Sequence, residues 1–268
     1  MRGVEFLREL AAGAALAGPS IVIAALEQRA SDSPPGEPGF GAVLLDPEAE
    51  RYPASMIKTP IAAFLAAAWA RGDCRPEDRV EVTAANMTAN DKPSPFVPGY
   101  GASLEELATL MIARSDNVAT NVLIDFLGRE RITAHCVEIG LVRTAVRRKL
   151  SGSLPLIEDL GATGRNSHPA SDAAALFGAI ARRELPGSEW LAGVLTAQEW
   201  NDKLSLGLRL GDRFAHKTGD TDEVSHDGGI LETAEGRRYA LAVYTALPSS
   251  PEADARFGAF MRALRPLL

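Results

Sequence analysis

The chain has 268 residues, of which 46% are hydrophobic and 24% charged. That length and composition fit a folded globular protein with one large core or two interlocked ones, and exclude a largely disordered chain. The net charge of −7 opposes broad binding to nucleic acid, because a polyanion requires a positive surface. No uninterrupted apolar run reaches the roughly 18 residues of a membrane-spanning helix. We therefore expect neither a nucleic-acid partner nor a membrane-inserted segment.

The beginning of the chain predicts a helix over residues 4–17 rather than an export signal. Glu5 and Glu9 interrupt its apolar positions, whereas a secretory signal lacks acids there. The expected location is therefore cytoplasmic as the sequence stands, and periplasmic or secreted if a signal segment was removed. The two cysteines, Cys74 and Cys136, are too few for a disulfide framework and are expected to be free thiols.

The next elements predict a sheet interrupted by a long helical segment. Residues 20–26 and 40–45 are expected to be strands, with a proline-marked loop over 29–39 between them. Helices are predicted over 55–71, 103–113, 118–127, 129–139 and 171–183, and long loops over 86–101 and 149–169. Pro60 lies inside the first of these helices and is expected to kink it. Two strands, 226–232 and 238–246, and a closing helix over 253–264 complete the chain.

Strands at both ends with helices between them predict an α+β fold, an antiparallel sheet flanked by helices with an inserted all-helical lobe. We expect residues 1–50 and 199–268 to form one discontinuous sheet domain. Residues 51–198 are expected to form the all-helical domain.

A candidate nucleophile lies at the start of the first central helix. Ser55 and Lys58 are three residues apart, so on a helix their side chains share a face. A serine hydroxyl must pass its proton to a base before it attacks, and a buried lysine can serve because burial disfavours its charged form. The spacing alone is weak evidence, since it is expected about once by chance in a chain of this size.

Two further triplets change the interpretation. Ser115-Asp116-Asn117 falls between two predicted helices, where it is also a good turn and helix-cap sequence. Lys217-Thr218-Gly219 follows an apolar run and is expected to end a strand, with its Lys and Thr exposed at one edge. Each triplet alone has a structural explanation, but the three motifs together, in this order, favour a shared catalytic site.

In this combination the chain resembles the penicilloyl-serine transferases, and among them the class A β-lactamase-like serine hydrolases, which carry Ser-x-x-Lys, Ser-Asp-Asn and Lys-Thr-Gly. Their separations here are similar to those of class A enzymes. Further segments that resemble the family are Gln198, Asp202-Lys203-Leu204 and His226-Asp227-Gly228-Gly229. The resemblance implies the β-lactamase/transpeptidase-like version of the α+β fold.

The resemblance also implies roles in acyl transfer. Ser55 would be the nucleophile, Lys58 its general base, and Ser115 the relay of a proton to the leaving nitrogen. Asn117 would hydrogen-bond the substrate side-chain amide and help to fix Lys58.

The opposite wall is implied by the third motif. Lys217 and Thr218 would meet the substrate carboxylate, and Gly219 would line the same wall. The backbone N–H groups of Ser55 and Asp220 would form the oxyanion hole, which stabilises the charge of the tetrahedral intermediate.

One departure from the class A pattern concerns deacylation. Class A enzymes carry a glutamate in the loop after the Ser-Asp-Asn region, and the corresponding residues 147–153 contain no acid. Glu158 and Asp159 lie a few residues later and are interpreted as surface carboxylates, with a substitute base as the alternative. Without a base, the acyl-enzyme would form and persist.

The histidines predict no metal site. His168 and His226 do not belong to a Cys/His cluster or a His-Glu-x-x-His motif, so neither a metal nor an organic cofactor is expected. His226-Asp227 is interpreted either as a polar strand start or as a polar group facing the substrate carboxylate.

The sequence therefore predicts a serine hydrolase that opens β-lactams through acylation of Ser55, with a small-molecule substrate. A D-alanyl-D-alanine carboxypeptidase or an esterase is the alternative within the same superfamily. A penicillin-binding sensor or scaffold without turnover is the alternative from another functional class.

Overall fold

The computed structural model describes residues 2–26 and 41–268, and within them a five-stranded antiparallel sheet forms the centre of the molecule. Its strands are β1 (Ser20–Ala25), β2 (Ala42–Leu45), β5 (Arg213–Asp220), β6 (Ser225–Glu232) and β7 (Arg238–Thr245), and a separate two-stranded ribbon joins β3 (Arg79–Glu81) and β4 (Gly101–Ser103). The strand order in the sheet is β2-β1-β7-β6-β5. The two ends of the chain therefore build one sheet, with β5 at its edge.

The described helices cover both faces of this sheet. They are α1 (Arg2–Gly13), α2 (Lys58–Arg71), α3 (Leu104–Ala113), α4 (Asn117–Leu127), α5 (Arg129–Glu138), α6 (Ala170–Ala181), α7 (Ser188–Thr196) and α8 (Pro251–Leu264). Helices α1 and α8 lie on one face, and α6 packs against β1, β6 and β7 on the other. Helix α2 lies among α3, α4, α5 and α7, so the residue at its start is enclosed by the other helices.

Alternation along the strands explains this layering. Ile21 and Ile23 of β1 belong to the apolar cluster beneath α1 and α8, whereas Val22 between them belongs to the cluster on the helical side. Leu241 and Val243 of β7 pair with β1 and join the first cluster. Successive side chains of a strand point to opposite faces, so short β-branched and aliphatic runs are buried on both sides.

The predicted α+β architecture is confirmed: an antiparallel sheet is flanked by helices. The predicted helix over 4–17 ends earlier, at Gly13, because the chain turns through Ala15, which has a φ of 53°. Pro60 was expected inside the helix over 55–71, but the α-helix begins only at Lys58, two residues before it. Pro60 lies in the first turn of α2, directly after a 3₁₀ turn over Ala54–Ile57, where a missing N–H costs little.

Three elements were missed by the sequence analysis: α7, β3 and β4. The predicted loop over 29–39 and the first residue of the predicted strand over 40–45 lie outside the described residues. Within residues 51–198 the helices are accompanied by the β3–β4 ribbon, and α6 packs on the sheet. The division into a sheet domain and an all-helical domain stays a prediction.

In the described ranges, no helix has the length and apolar character needed to cross a membrane.

Candidate active site

The side chain of Lys58 is the centre of a buried polar cluster. Lys58 begins α2 and is fully buried. Its Nζ donates to the backbone oxygen of Ser115 at 2.6 Å, and lies 2.9 Å from Ser115 Oγ and 2.7 Å from Asn117 Oδ1. The first and second sequence motifs therefore meet through one amine.

The surroundings of Lys58 favour its neutral form. Burial lowers the pKa of Lys58 well below 10.5, the Lys217 charge lowers it further, and Asp116 and Asp91 oppose the shift. The partial positive charge at the start of a helix acts in the same direction as burial. Ser115 O and Asn117 Oδ1 accept two N–H bonds, and the Ser115 hydroxyl can donate its own hydrogen to the amine. A neutral lysine is therefore fully hydrogen-bonded.

Ser55 lies on the 3₁₀ turn that leads into α2. The preceding Ala54 has a φ of 47°, a left-handed conformation that costs a non-glycine residue free energy and is concentrated at functional sites. Ser55 is half-buried, and its hydroxyl forms no hydrogen bond with any other described residue. It lies three residues from Lys58 and remains available to a reactant. Catalytic hydrogen bonds in unliganded sites often form only once substrate is bound.

Ser115 links the two lysines of the motifs. Its φ is 60°, so the backbone turns sharply between α3 and α4 and both its oxygens face Lys58. Lys217 Nζ donates to the same Oγ at 3.0 Å. Asp116 caps α4 by accepting from the Ala119 N–H at 2.8 Å. The predicted interhelix turn is therefore correct.

Asn117 is oriented by a loop that sequence reasoning did not assign to the site. Its Nδ2 donates to the Ala89 oxygen at 3.0 Å, and its backbone N–H donates to Asn90 Oδ1 at 2.6 Å. Because Nδ2 is used in this way, Oδ1 must face Lys58. The only signal in the sequence was the length of the loop over 86–101.

Lys217 and Thr218 lie on edge strand β5, but their side chains are buried, so the prediction that they would be exposed is wrong. Ser115 and the helical segment beside it cover Lys217. Burial lowers the pKa of Lys217 to about 7, while the charge of Asp220 opposes the change. This amine therefore changes its charge near neutral pH.

Gly219 allows β5 to approach the turn that carries Ser55. A Cβ at this position would lie 3.0 Å from the Pro53 oxygen and 3.3 Å from the Ala54 Cβ. That spacing is tighter than ordinary van der Waals contact, so a side chain would push the strand away from the nucleophile. Asp220, the next residue, is held by Lys203. The sequence analysis gave Lys203 no role, although it quoted the segment that contains it.

His226 and Asp227, which the sequence analysis interpreted in two ways, both make contacts within the protein. The His226 ring stacks on Tyr244 at 4.1 Å, and its Nε2 lies 2.9 Å from the Tyr52 oxygen. Burial lowers the pKa of His226 to about 4, and its Nδ1 lies 2.7 Å from the Ser225 oxygen, so the single N–H of the neutral ring donates to one of these two backbone oxygens. Asp227 is buried on the other face, between His216 and the Leu204 N–H.

Of the other residues considered in the sequence analysis, His168 and Asp159 make contacts inside the protein, and Glu158 lies on its surface. His168 is buried, its pKa is lowered to about 3 by burial, and its Nδ1 lies 2.7 Å from the Thr144 hydroxyl. Asp159 accepts from Arg129 Nη2 at 2.9 Å and from the Lys149 N–H. Glu158 is exposed. Across residues 2–26 and 41–268, no group of three or more His, Cys, Asp or Glu is placed to hold a metal ion.

Residues 40–264 match the profile of the beta-lactamase enzyme family. This match covers most of the chain, so the protein belongs to that family, and membership supports a serine hydrolase of the β-lactamase type. No curated protein sequence matches the chain.

Solved structures give the same fold. One of them is a leucine-to-glutamate variant of PBP-A, solved as an acyl-enzyme complex with penicillin G. It is 24% identical to this chain, with a TM-score of 0.83, and the match covers 99% of this chain and 96% of that chain. A β-lactamase from Sphaerobacter thermophilus is 23% identical, with a TM-score of 0.77 and coverages of 99% and 96%. An ancestral class A β-lactamase, GNCA, is 22% identical, with a TM-score of 0.80 and 99% of each chain covered. The β-lactamase/transpeptidase-like fold is confirmed.

Proposed function

We propose that the protein is a serine hydrolase that is acylated at Ser55 by β-lactams and related acyl compounds. The observation that carries this proposal is the buried bridge from Lys58 through Ser115 Oγ to Lys217, with distances of 2.9 Å and 3.0 Å, at the start of the helix that follows Ser55. A neutral amine beside a hydroxyl is the arrangement that makes serine nucleophilic.

In the proposed acylation step, Lys58 Nζ takes the proton of Ser55 as Ser55 Oγ bonds to the carbonyl carbon. The backbone N–H groups of Ser55 and Asp220 stabilise the resulting oxyanion. When the carbon–nitrogen bond of the lactam breaks, Ser115 Oγ gives its proton to the leaving nitrogen and recovers one from Lys58. The net result is the transfer of one proton from Ser55 to the leaving nitrogen, with Lys58 and Ser115 restored, and no external reactant is consumed.

The opposite wall supports substrate binding in this proposal. Lys217 is protonated below its pKa of about 7 and then places a positive charge on this wall, with Thr218 beside it. Asn117 offers its amide to the substrate side chain while Ala89 and Asn90 hold it in place.

Slow deacylation is part of the proposal. Hydrolysis of the acyl-enzyme needs a base that activates water, and residues 147–153 contain no acid. The nearby Asp159 already accepts hydrogen bonds from Arg129 and from the Lys149 N–H. Of the two carboxylates that the sequence analysis considered as a substitute base, Glu158 therefore remains.

Nitrocefin hydrolysis measured together with intact mass tests this function. Steady hydrolysis with a transient adduct supports a hydrolase, and a persistent adduct on Ser55 supports acylation with slow deacylation. An esterase or D-alanyl-D-alanine carboxypeptidase would instead turn over ester or peptide substrates faster. Failure of every acyl donor to label Ser55 would contradict the proposal and favour a binding protein without turnover.

A further inference from the structure

The carboxylate of Asp220 is bound to a buried cation at the end of β5. Lys203 Nζ donates to Asp220 Oδ1 at 2.6 Å, and the Ser225 hydroxyl donates to the same oxygen at 3.0 Å. The side chain of Lys203 is 3% exposed, whereas that of Asp220 is 30% exposed. Asp220 therefore neutralises a lysine inside the protein while part of its carboxylate reaches the surface.

Strand alternation gives the position of this carboxylate relative to the site. His216, Thr218 and Asp220 occupy alternate positions of β5 and so share one face. His216 contacts Asn201 on that face, and Asp220 contacts Lys203 two residues further along the same segment. The Thr218 hydroxyl therefore lies on the same side of the strand as the Lys203–Asp220 pair. Gly219, between Thr218 and Asp220, packs against the turn that carries Ser55.

Two lysines and one carboxylate on this wall determine whether an anionic group can bind there. The negative charge of Asp220 raises the pKa of Lys217, and the positive charge of Lys203 lowers it. A substrate carboxylate that approached Lys217 and Thr218 would place a second carboxylate on the strand face of Asp220, which shares the single positive charge of Lys203. Lys203 could attract that carboxylate, but Asp220 already occupies it with both oxygens. Like charges placed side by side in an interface strongly disfavour binding.

We propose that Asp220 is a specificity-determining residue, an internal carboxylate that selects against substrates with an anionic group beside Lys217 and Thr218. The preferred substrates are acyl compounds that are uncharged at this position, such as neutral esters, amides or lactams with a masked carboxylate. This inference rests on acylation at Ser55, and it concerns which acyl donors reach that step.

Penicillin G and its methyl ester are a matched pair that differ in this charge. The rate at which each compound labels Ser55 is measured by intact mass and divided by its rate of alkaline hydrolysis, which removes the difference in intrinsic reactivity. The normalised rate of the wild-type protein is expected to be about tenfold or more higher for the ester. Asp220→Asn, which keeps the shape of the side chain, is expected to shift this ratio about tenfold toward the free acid.

Two further variants separate specificity from a general structural effect. Asp222→Asn removes an exposed carboxylate two residues away and is expected to leave the ratio unchanged. Adding Lys203→Met to Asp220→Asn removes the cation that the freed site would offer, and is expected to cancel the gain for the acid.

The outcomes distinguish this inference from the function on which it rests. Labelling of Ser55 by neither compound overturns both. Labelling by both compounds at equal normalised rates in the wild-type protein overturns the role of Asp220 alone, as does an unchanged ratio in a folded Asp220→Asn variant. If that variant does not fold, the wild-type ratio decides.

Discussion

Lys217→Met tests whether a buried lysine of the site is neutral above neutral pH. The pKa of Lys217 is about 7 in the folded protein because of burial, and that of an unfolded lysine is about 10.4. Between these values the unfolded chain binds one more proton, so stability rises with pH in the wild-type protein by about 1.4 kcal/mol per pH unit. The variant loses this contribution.

From pH 7.5 to 9.5 the wild-type free energy of unfolding should therefore rise by about 2–3 kcal/mol relative to Lys217→Met. Urea denaturation at the two pH values measures the difference. Lys92→Met is the matched control, because the Lys92 side chain is 34% exposed and pairs with Glu199; we expect the same difference from the wild type at both pH values. An equally constant difference for Lys217→Met would refute the claim that burial controls this lysine.

Three other substitutions test the site. Ser55→Ala should abolish covalent labelling and leave the thermal transition nearly unchanged; retained labelling would reject the nucleophile. Glu158→Gln should leave the loss of the acyl adduct unchanged, because this carboxylate is exposed, and a slower loss would identify Glu158 as the deacylation base. Gly219→Ala should slow acylation and lower the free energy of unfolding by about 1–3 kcal/mol through crowding against Pro53 and Ala54. Gly193→Ala, which meets open space in α7, should not destabilise the protein.

The elements that were predictable are those with a strong local pattern. The apolar runs of β1 and β7 predicted their strands. The helix predicted over 103–113 begins at Ser103, which caps α3. Helix α7 was missed because Gly193 lies in its interior and a glycine lowers helix propensity; packing against α6 and β5 compensates. Strands β3 and β4 have three residues each, too few for a period to be recognised.

The candidate site also contains residues that the sequence identified and residues that it did not. Residues in short recurring motifs were identifiable, and Lys58, Ser115, Asn117 and Lys217 are connected by hydrogen bonds in the structure. The partners that orient them were not identifiable, because each contact joins distant segments. Asn90 reaches Asn117 from a loop without periodicity, and Lys203 reaches Asp220 from 17 residues earlier in the chain.

The buried state of Lys217 also depends on the assembled fold. Its strand is at the edge of the sheet, which suggested exposure, but Lys217 is fully buried and its amine contacts Ser115, 102 residues earlier in the chain. Burial of this kind sets the pKa values of both lysines. The chemistry that the motifs suggest therefore depends on long-range packing that local patterns do not contain.

The rate at which penicillin G labels Ser55 in the wild-type protein and in Lys58→Met tests the central claim most directly. The account predicts a single adduct on Ser55 and a labelling rate about 10²–10⁴-fold lower in the variant, the contribution of a general base. Equal labelling rates in the two folded proteins, or an adduct on a residue other than Ser55, would contradict it.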